Sequence, residues 1–245
     1  KPIIFHTGLT PPPKIKYNHF EILHTPTITV EFNNHHIPQD IVECLKSNPV
    51  AIIMSKNAVS GLKKWLEKYN LSMDIFGDTP FWTVGEQTHQ NLLDELGIES
   101  WHPELMTGEG IIQSLIEKDQ NRILLISAHE PQQNFIDGLR TAGIHFFHFP
   151  TYTTQILSDA KLTAEFIDDE NNFIVCTSPS TVDGILKSLS LTHLADLKTK
   201  LISIGPTTSS AIREREGFVY HESSEQKIST LYSEIITMDC SHEQS

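Results

Sequence analysis

One pattern occurs twice in the chain: an apolar strand, Gly-x-x-Thr, an amphipathic helix and a closing Gly. It reads FWTVGEQTHQNLLDELG at residues 81–97 and LISIGPTTSSAIREREG at residues 201–217. Upstream of each copy, the same residue types recur with the same internal spacing, as Ser55, Val59, Gly61 and Leu62 and as Ser178, Val182, Gly184 and Ile185. The sequence therefore predicts a duplicated half-domain with matching residues where strands end and helices begin.

Short β-branched or aromatic runs alternate with longer amphipathic segments around the first copy. The predicted strands are VAIIMS, FWTVG, ESWHP, RILLIS and HFFHFP, and the predicted helices cover residues 57–69, 87–96, 109–118 and 131–142. Strands separated by helices of this length pair in parallel through right-handed crossovers. This order predicts a doubly wound α/β domain with a five-stranded sheet.

A second set of strands and helices follows residue 157. Its strands are FIVCTS, LISIGP and FVYHES, and the N-terminal runs PIIFHT and FEILHT complete a second five-stranded sheet. The first domain is then discontinuous, at residues 1–26 and 157–245, and residues 33–150 form an inserted domain. The Thr-rich crossings at 26–33 and 150–157 are predicted to pair as a two-stranded β-ladder hinge. Pro11–Pro13 shorten the first crossover, because proline blocks a regular helix.

Composition excludes several classes of protein. A formal net charge of −13 argues against a nucleic-acid or anionic-membrane surface, which needs clustered Lys and Arg. No run of about 18 apolar residues and no N-terminal signal pattern occurs, so we expect neither a membrane span nor export. The three cysteines form no C-x-x-C and fit a reducing compartment, with the cytoplasm as the expected location. Metal-ligand spacing and nucleotide-binding glycine motifs are missing, so no metal site or nucleotide cofactor is predicted.

The repeated Ser, Gly and Thr positions are candidates for an anion-binding site. They fall at the carboxyl edge of each predicted sheet, where α/β folds bind ligands. Free backbone N–H groups and the positive end of the helix dipole favour carboxylates or phosphates there. The structural alternative is that the Ser and Thr side chains only cap helices and that the glycines only make tight turns.

The motifs SKNAV, VGEQT, TYTT, TSPSTV and SIGPTTSSAI, in this order, resemble uroporphyrinogen-III synthase. The resemblance covers nearly the whole chain. It implies two α/β domains joined by a two-stranded ladder, with the active site in the cleft between them. It also implies a cyclising hydro-lyase of haem biosynthesis, which closes hydroxymethylbilane to uroporphyrinogen III with inversion of ring D and loss of water. The family uses neither a metal nor an organic cofactor.

The resemblance also implies roles for individual residues. Tyr152 matches the family's cleft tyrosine and would donate a proton or hydrogen bond to the departing hydroxyl; the alternative is an aromatic spacer packed in the hinge. Where the family usually has a loop with Gly and Arg, this chain has SAHEPQQNF, which contains Ser127. The residues expected to bind substrate carboxylates are Ser55, Lys56, Asn57, Gly85, Thr88, Ser127, Ser178, Ser180, Gly205, Thr207 and Thr208.

The expected binding partner is the polyanionic tetrapyrrole substrate. We expect the protein to be a monomer that makes at most a transient contact with hydroxymethylbilane synthase. Two alternatives come from other classes. One is a non-catalytic or degenerate two-lobed protein of the same fold that binds anions or tetrapyrroles. The other is a regulatory or interaction module, in which replacing Tyr152 or Thr208 would leave ligand affinity unchanged.

Overall fold

The computed structural model describes residues 1–14, 20–32, 35–157, 162 and 169–242, without the side chains of residues 239–242. The chain divides into two compact units, which we call unit 1 (Lys1–Thr29 with Gln155–Ser245) and unit 2 (Val30–Thr154). Residues 15–19, where the crossover after Pro11–Pro13 was predicted to be irregular, lie outside the described residues.

The described secondary structure consists of ten strands, eight α-helices and one 3-10 helix at Met73–Phe76. The strands are β1 (Ile3–His6), β2 (Glu21–His24), β3 (Ile28–Glu31), β4 (Val50–Ile53), β5 (Phe81–Thr83), β6 (Arg122–Ala128), β7 (His145–Ile156), β8 (Phe173–Cys176), β9 (Lys200–Ser203) and β10 (Val219–Glu222). The helices are α1 (Pro38–Leu45), α2 (Lys56–Tyr69), α3 (Glu86–Leu96), α4 (Gly108–Glu117), α5 (Gln133–Thr141), α6 (Pro179–Leu189), α7 (Pro206–Glu214) and α8 (Ile228–His242).

Two five-stranded sheets confirm the predicted α/β fold class. One has the order β10-β9-β8-β1-β2, and the other has the order β3-β7-β6-β4-β5. The central strands β4 and β8 are buried at every position, as expected for parallel strands covered by helices on both faces. Their carboxyl ends lead into α2 and α6, so the two upstream repeat segments occupy equivalent places in the two units.

The prediction that ESWHP forms a strand is wrong. Only Trp101 pairs with the sheet, through a single parallel bridge to Trp82. Pro103 has no N–H group to continue such pairing, and the chain turns toward α4 instead. The fifth strand of this sheet is β3, which neighbours β7. β7 itself runs without a break through both HFFHFP and the TYTT segment, for which the sequence predicts separate elements.

Helices hold their sheets through apolar faces. In unit 2, α2 buries Val59, Leu62 and Trp65 in the core that also contains Phe149 of β7. In unit 1, α6 buries Val182 and Ile185 against Ile174 of β8. Within the described ranges, none of the helices has the length and apolar character that a bilayer crossing requires.

Candidate functional site

The start of α2 lies at the carboxyl edge of the unit 2 sheet and carries three of the predicted site residues. Ser55 is the N-cap, and its Oγ accepts a hydrogen bond of 3.2 Å from the Ala58 N–H. Lys56 and Asn57 form the first two helical positions, where backbone N–H groups have no partner inside the helix. Partial burial lowers the pKa of the Lys56 ammonium.

Tyr152 reaches this helix start from β7 because of a β-bulge. Ser127 of β6 pairs with Pro150, whereas the next residue, Ala128, pairs with Tyr152, so Thr151 is the extra residue. Consecutive strand residues normally point to opposite faces, but a bulge redirects one of them. Thr151 Oγ1 donates to the Ala58 carbonyl at 3.3 Å, and the Tyr152 hydroxyl lies 3.0 Å from Ser55 Oγ. The bulge therefore brings two consecutive side chains onto the first turn of α2.

The Tyr152 phenol is held in its neutral form. The side chain is 8% exposed, and burial raises its pKa above the usual value of 10, although the hydrogen bond with Ser55 acts in the opposite direction. A neutral phenol can donate a proton or a hydrogen bond at neutral pH, and burial keeps its ring in a fixed position. Tyr152 also packs in the core of unit 2, so the aromatic-spacer role and the donor role coexist.

Gly61 allows β7 to approach α2 this closely. A Cβ atom on Gly61 would lie 2.6 Å from the Thr151 carbonyl oxygen and 2.7 Å from Thr151 Cβ. Any other residue would push β7 away from the helix and would move Tyr152 with it. Gly61 therefore maintains the distance on which the Tyr152–Ser55 hydrogen bond depends.

Unit 1 has the same close contact between a helix glycine and a threonine, but it has no tyrosine next to that threonine. A Cβ on Gly184 of α6 would lie 2.5 Å from Thr27 Oγ1, and Thr27 Oγ1 donates to the Thr181 carbonyl at 3.2 Å. Thr27 thus corresponds to Thr151, and the residue after it is Ile28, where unit 2 has Tyr152. The repeat explains why Gly occurs at both positions, and it places the candidate proton donor in unit 2 alone.

The starts of α3 and α7 carry the second repeated motif. Gly85 and Gly205 are the N-caps, both with extended backbone, so neither glycine is required by a left-handed conformation. Thr88 and Thr208 are 6% and 3% exposed, and neither hydroxyl makes a hydrogen bond to the described residues. Thr207 is exposed beside Thr208. Each helix start thus carries a Thr hydroxyl. α3 also offers the N–H groups of Glu86 and Gln87 to an anion, whereas α7 offers fewer because Pro206 has no N–H group.

Ser178 and Ser180 at the start of α6 are engaged in a capping network. Ser178 Oγ accepts from the Thr181 N–H at 3.3 Å and lies 3.0 Å from Ser180 Oγ. Thr181 Oγ1 donates back to the Ser178 carbonyl at 2.7 Å. Capping accounts for Ser178 by itself, while Ser180 retains hydrogen-bonding capacity for a ligand.

Ser127 is placed differently from the other predicted residues. It is 2% exposed, donates to the Ala128 carbonyl at 3.1 Å and lies 3.1 Å from His148 Nε2. Burial lowers the pKa of His148, which keeps this imidazole neutral. The Ser127 hydroxyl is therefore engaged by Ala128 and His148, at the carboxyl end of β6 beside β4.

Two residues near the helix starts were missed by the sequence analysis. Met106 lies against Gly85, and Gln226 lies against Gly205. Both follow their glycine by 21 positions, but their side chains differ in chemistry, so residue matching gave no signal for them. Among the described residues, no three His, Cys, Asp or Glu side chains are grouped in a way that would hold a metal ion.

Residues 13–233 match the model of the family described as uroporphyrinogen-III synthase HemD. The chain belongs to the uroporphyrinogen-III synthase family. Its function is therefore in tetrapyrrole biosynthesis, as a cofactor-independent cyclising lyase. This confirms the resemblance based on the short motifs.

Solved structures agree on the fold. A uroporphyrinogen-III synthetase from Helicobacter pylori is 18% identical, with a TM-score of 0.61 over 97% of this chain and 100% of that chain. A mutant uroporphyrinogen III synthase from the extremely thermophilic bacterium Thermus thermophilus is 12% identical, with a TM-score of 0.59 over 96% of this chain and 97% of that one. No curated protein matches the chain significantly.

Proposed function

We propose that this uroporphyrinogen-III synthase uses Tyr152 as the donor to the departing hydroxyl of hydroxymethylbilane. The observation that carries the proposal is the 3.0 Å hydrogen bond between the Tyr152 hydroxyl and Ser55 Oγ, at a helix start on the carboxyl edge of a parallel sheet. Expelling hydroxide is unfavourable at neutral pH, whereas expelling water is easier. A neutral phenol at the leaving group supplies the required proton or hydrogen bond.

The hydrogen bonds around Ser55 favour one direction of donation. Ser55 Oγ already accepts from the Ala58 N–H, so its own proton is available to the Tyr152 oxygen. Tyr152 then keeps its O–H for the substrate. Donation from Ser55 also stabilises any negative charge that develops on the phenol, which agrees with the lowering effect of this bond on the pKa of Tyr152.

The protons that Tyr152 gives and receives balance over one catalytic cycle. The substrate hydroxyl leaves as water after taking a proton, and the freed methylene bonds to the α carbon of ring D that already carries a bridge. That bridge bond then breaks and re-forms at the other α carbon of ring D, which loses its hydrogen as a proton. The proton released from that pyrrole carbon restores the phenol. Tyr152 therefore needs no external acid or base, and the remaining task of the protein is to hold the chain ends in the geometry that inverts ring D.

The helix starts are proposed to bind the acetate and propionate arms of the substrate. With a net charge of −13, the protein attracts a polyanion only where local donors outweigh that charge. The starts of α2 and α3 in unit 2, and of α6 and α7 in unit 1, provide such donors through N–H groups and the helix dipole. Unit 1 offers fewer N–H groups, because α6 and α7 begin with Pro179 and Pro206. The buried Thr88 and Thr208 hydroxyls add donors at equivalent positions.

Tyr152→Phe and Ser55→Ala test the donor. We expect kcat for type III uroporphyrinogen to fall about 100-fold in Tyr152→Phe, the lower end of the range for acid–base catalysis, because this substrate loses its hydroxyl readily. Ser55→Ala should give a smaller loss, since the phenol remains. Tyr220→Phe is the matched control, because Tyr220 lies on β10 against Phe173. Unchanged kcat in folded Tyr152→Phe protein would refute the donor role.

Thr88→Val and Thr208→Val test the carboxylate contacts. Each removes a hydroxyl but keeps the shape, so KM for hydroxymethylbilane should rise about tenfold while kcat changes less, as expected for loss of a hydrogen bond to a charged group. Thr141→Val, which alters an exposed Thr on α5, is the control. If KM is unchanged in both variants, these two hydroxyls do not bind the substrate. We also propose a monomer that works in the cytoplasm and makes at most a transient contact with the enzyme that supplies its substrate.

A further inference from the structure

Two side chains meet at one backbone carbonyl beside the bulge that redirects Tyr152. Ser127 Oγ donates to the Ala128 carbonyl at 3.1 Å, and His148 Nε2 lies 3.1 Å from the same oxygen. His148 Nε2 also lies 3.1 Å from Ser127 Oγ. A carbonyl oxygen only accepts hydrogen bonds, so Nε2 carries the imidazole proton and donates to Ala128. Ser127 and His148 thus bind the same oxygen and contact each other.

These bonds connect β7 before the bulge to β6 after it. His148 pairs with Leu125 before the bulge. Ala128 pairs with Tyr152 after it. Between His148 and Tyr152 lies Pro150, which has no N–H group to donate within the sheet. The side chains therefore add a link between the two strands at a point where the backbone has lost a donor.

The peptide group between Ala128 and His129 sets the direction of Tyr152. Its carbonyl accepts the two side-chain hydrogen bonds, and its N–H group donates to the Tyr152 carbonyl at 2.7 Å. Without the bulge, Thr151 would pair with Ala128, and Tyr152 would point to the opposite face of the sheet. The hydrogen bond of 3.0 Å between Tyr152 and Ser55 would then be lost.

The two donors are shielded from water. Ser127 is 2% exposed, and His148 is half-buried. Burial lowers the pKa of His148, so the imidazole is neutral at neutral pH with its single proton on Nε2. Hydrogen bonds in such surroundings are stronger than those in water, because water does not compete for the same groups. They can therefore hold the Ala128 carbonyl in one position.

We infer that Ser127 and His148 are positioning residues for Tyr152. They hold the Ala128 carbonyl, so that β7 keeps its bulge and the phenol stays on the first turn of α2. In this role the two side chains act on the reaction only through Tyr152, so the inference rests on the proposed function of that residue. All of these residues lie in unit 2.

The test removes each donor and then restores one of them. His148→Leu and Ser127→Ala remove the donors, and His148→Gln keeps an N–H group near the position of Nε2. We expect His148→Leu to lower kcat for type III product about fivefold to tenfold, through loss of one hydrogen bond, with little change in KM. Ser127→Ala should lower kcat by a similar factor, and His148→Gln should recover most of the loss.

The chain offers a matched control for each site. His145 is an exposed residue of the same strand, so His145→Leu controls for the loss of an imidazole from β7. Ser114 is a buried serine on α4 whose Oγ donates to the Gly110 carbonyl at 2.8 Å, so Ser114→Ala controls for the loss of a buried hydroxyl. Both controls should keep the wild-type kcat.

A double-mutant cycle distinguishes positioning from a general structural role. If His148 acts through Tyr152, adding His148→Leu to Tyr152→Phe should change kcat less than about twofold, because the phenol that it positions is already missing. A general structural role predicts the same loss of kcat with and without the phenol. Equal losses in the two backgrounds would therefore overturn the inference.

NMR of protein isotopically labelled at the tyrosine Cζ atoms gives a readout that does not depend on catalysis. The Tyr152 signal, identified by its loss in Tyr152→Phe, should shift in His148→Leu as the bond to Ser55 lengthens, and it should return toward the wild-type position in His148→Gln. Thermal unfolding establishes that each variant is folded.

The outcomes separate this inference from the proposed function. If Tyr152→Phe loses kcat while folded His148→Leu keeps the wild-type kcat and Tyr152 signal, the inference is wrong and the proposed function stands. If Tyr152→Phe keeps the wild-type kcat, the proposed function fails. The Tyr152 signal then decides the inference by itself, since a shift in His148→Leu supports positioning and an unshifted signal overturns it.

Discussion

Gly61→Ala is expected to separate the stability of the protein from its activity. The added Cβ would lie 2.6 Å from the Thr151 carbonyl oxygen, 2.7 Å from Thr151 Cβ and 2.8 Å from Thr151 Oγ1. A backbone oxygen cannot rotate away, so β7 must move relative to α2. Tyr152 is the next residue on β7, and its 3.0 Å hydrogen bond to Ser55 on α2 lengthens with that movement.

The stability change is small because two effects oppose each other. Overpacking costs about 1–3 kcal/mol, and replacing Gly by Ala inside a helix returns about 1 kcal/mol. The net loss is therefore about 1 kcal/mol, or about 2–4 °C in Tm for a protein of this size. The effect on catalysis should be larger than the effect on stability, because Tyr152 moves by several tenths of an ångström relative to Ser55. We expect kcat to fall about tenfold to a hundredfold.

The assay measures kcat for type III product and Tm for three variants. Gly184→Ala is the matched variant, because its Cβ would lie 2.8 Å from the Thr27 carbonyl oxygen, next to Ile28 rather than Tyr152. Gly138→Ala is the control, since its only close neighbour is the flexible end of Ile112, at 2.5 Å. Gly61→Ala should lose the most kcat. A Gly61→Ala protein with wild-type kcat and a reduced Tm would refute the link between this contact and catalysis.

Two further predictions concern buried groups. Burial lowers the pKa of His6 from 6.5 to about 4, so between these pH values the unfolded chain binds more protons than the folded protein. The free energy of unfolding should therefore fall by about 3 kcal/mol as the pH drops from 6.5 to 4. His6→Gln should remove this part of the pH dependence, as measured by urea titrations at several pH values. Burial raises the pKa of Cys176 to about 12, which keeps this thiol protonated and unreactive in the folded protein. In a Cys240→Ser variant, dithionitrobenzoate should therefore modify Cys44 in the folded protein and Cys176 only after unfolding. These predictions are wrong if the stability of His6→Gln depends on pH as strongly as that of the wild type, or if Cys176 is labelled rapidly in the native protein.

Much of the fold could be predicted from the sequence because strands and helices alternate with clear spacing. The fully apolar runs at β4 and β8 and the Gly-terminated helices are local signals, and they indicate every strand of the two sheets except the fifth strand of the unit 2 sheet. ESWHP failed because its aromatic and β-compatible residues resemble a strand, whereas Pro103 and the turn toward α4 limit pairing to Trp101. β3 took the remaining position in the sheet, which depends on tertiary contacts that local patterns do not encode.

The candidate site was only partly visible in the sequence. The internal repeat pointed to Ser55, Gly85 and Thr88 and to their counterparts in unit 1. The repeat is visible in the sequence because helix starts require particular residue types. The bulge at Thr151 was not visible, since it arises from pairing between β6 and β7. Met106 and Gln226 were also missed, because equivalent positions with different side chains leave no matching pattern.

The most direct test of the central claim is the product formed from freshly generated hydroxymethylbilane by the wild type and by Tyr152→Phe. We expect mostly type III uroporphyrin after oxidation and chromatography of the wild-type products, with a shift toward type I in the variant. Only type I from folded wild-type protein, at the spontaneous rate, would contradict the account and favour a tetrapyrrole-binding protein that has kept the fold without the reaction.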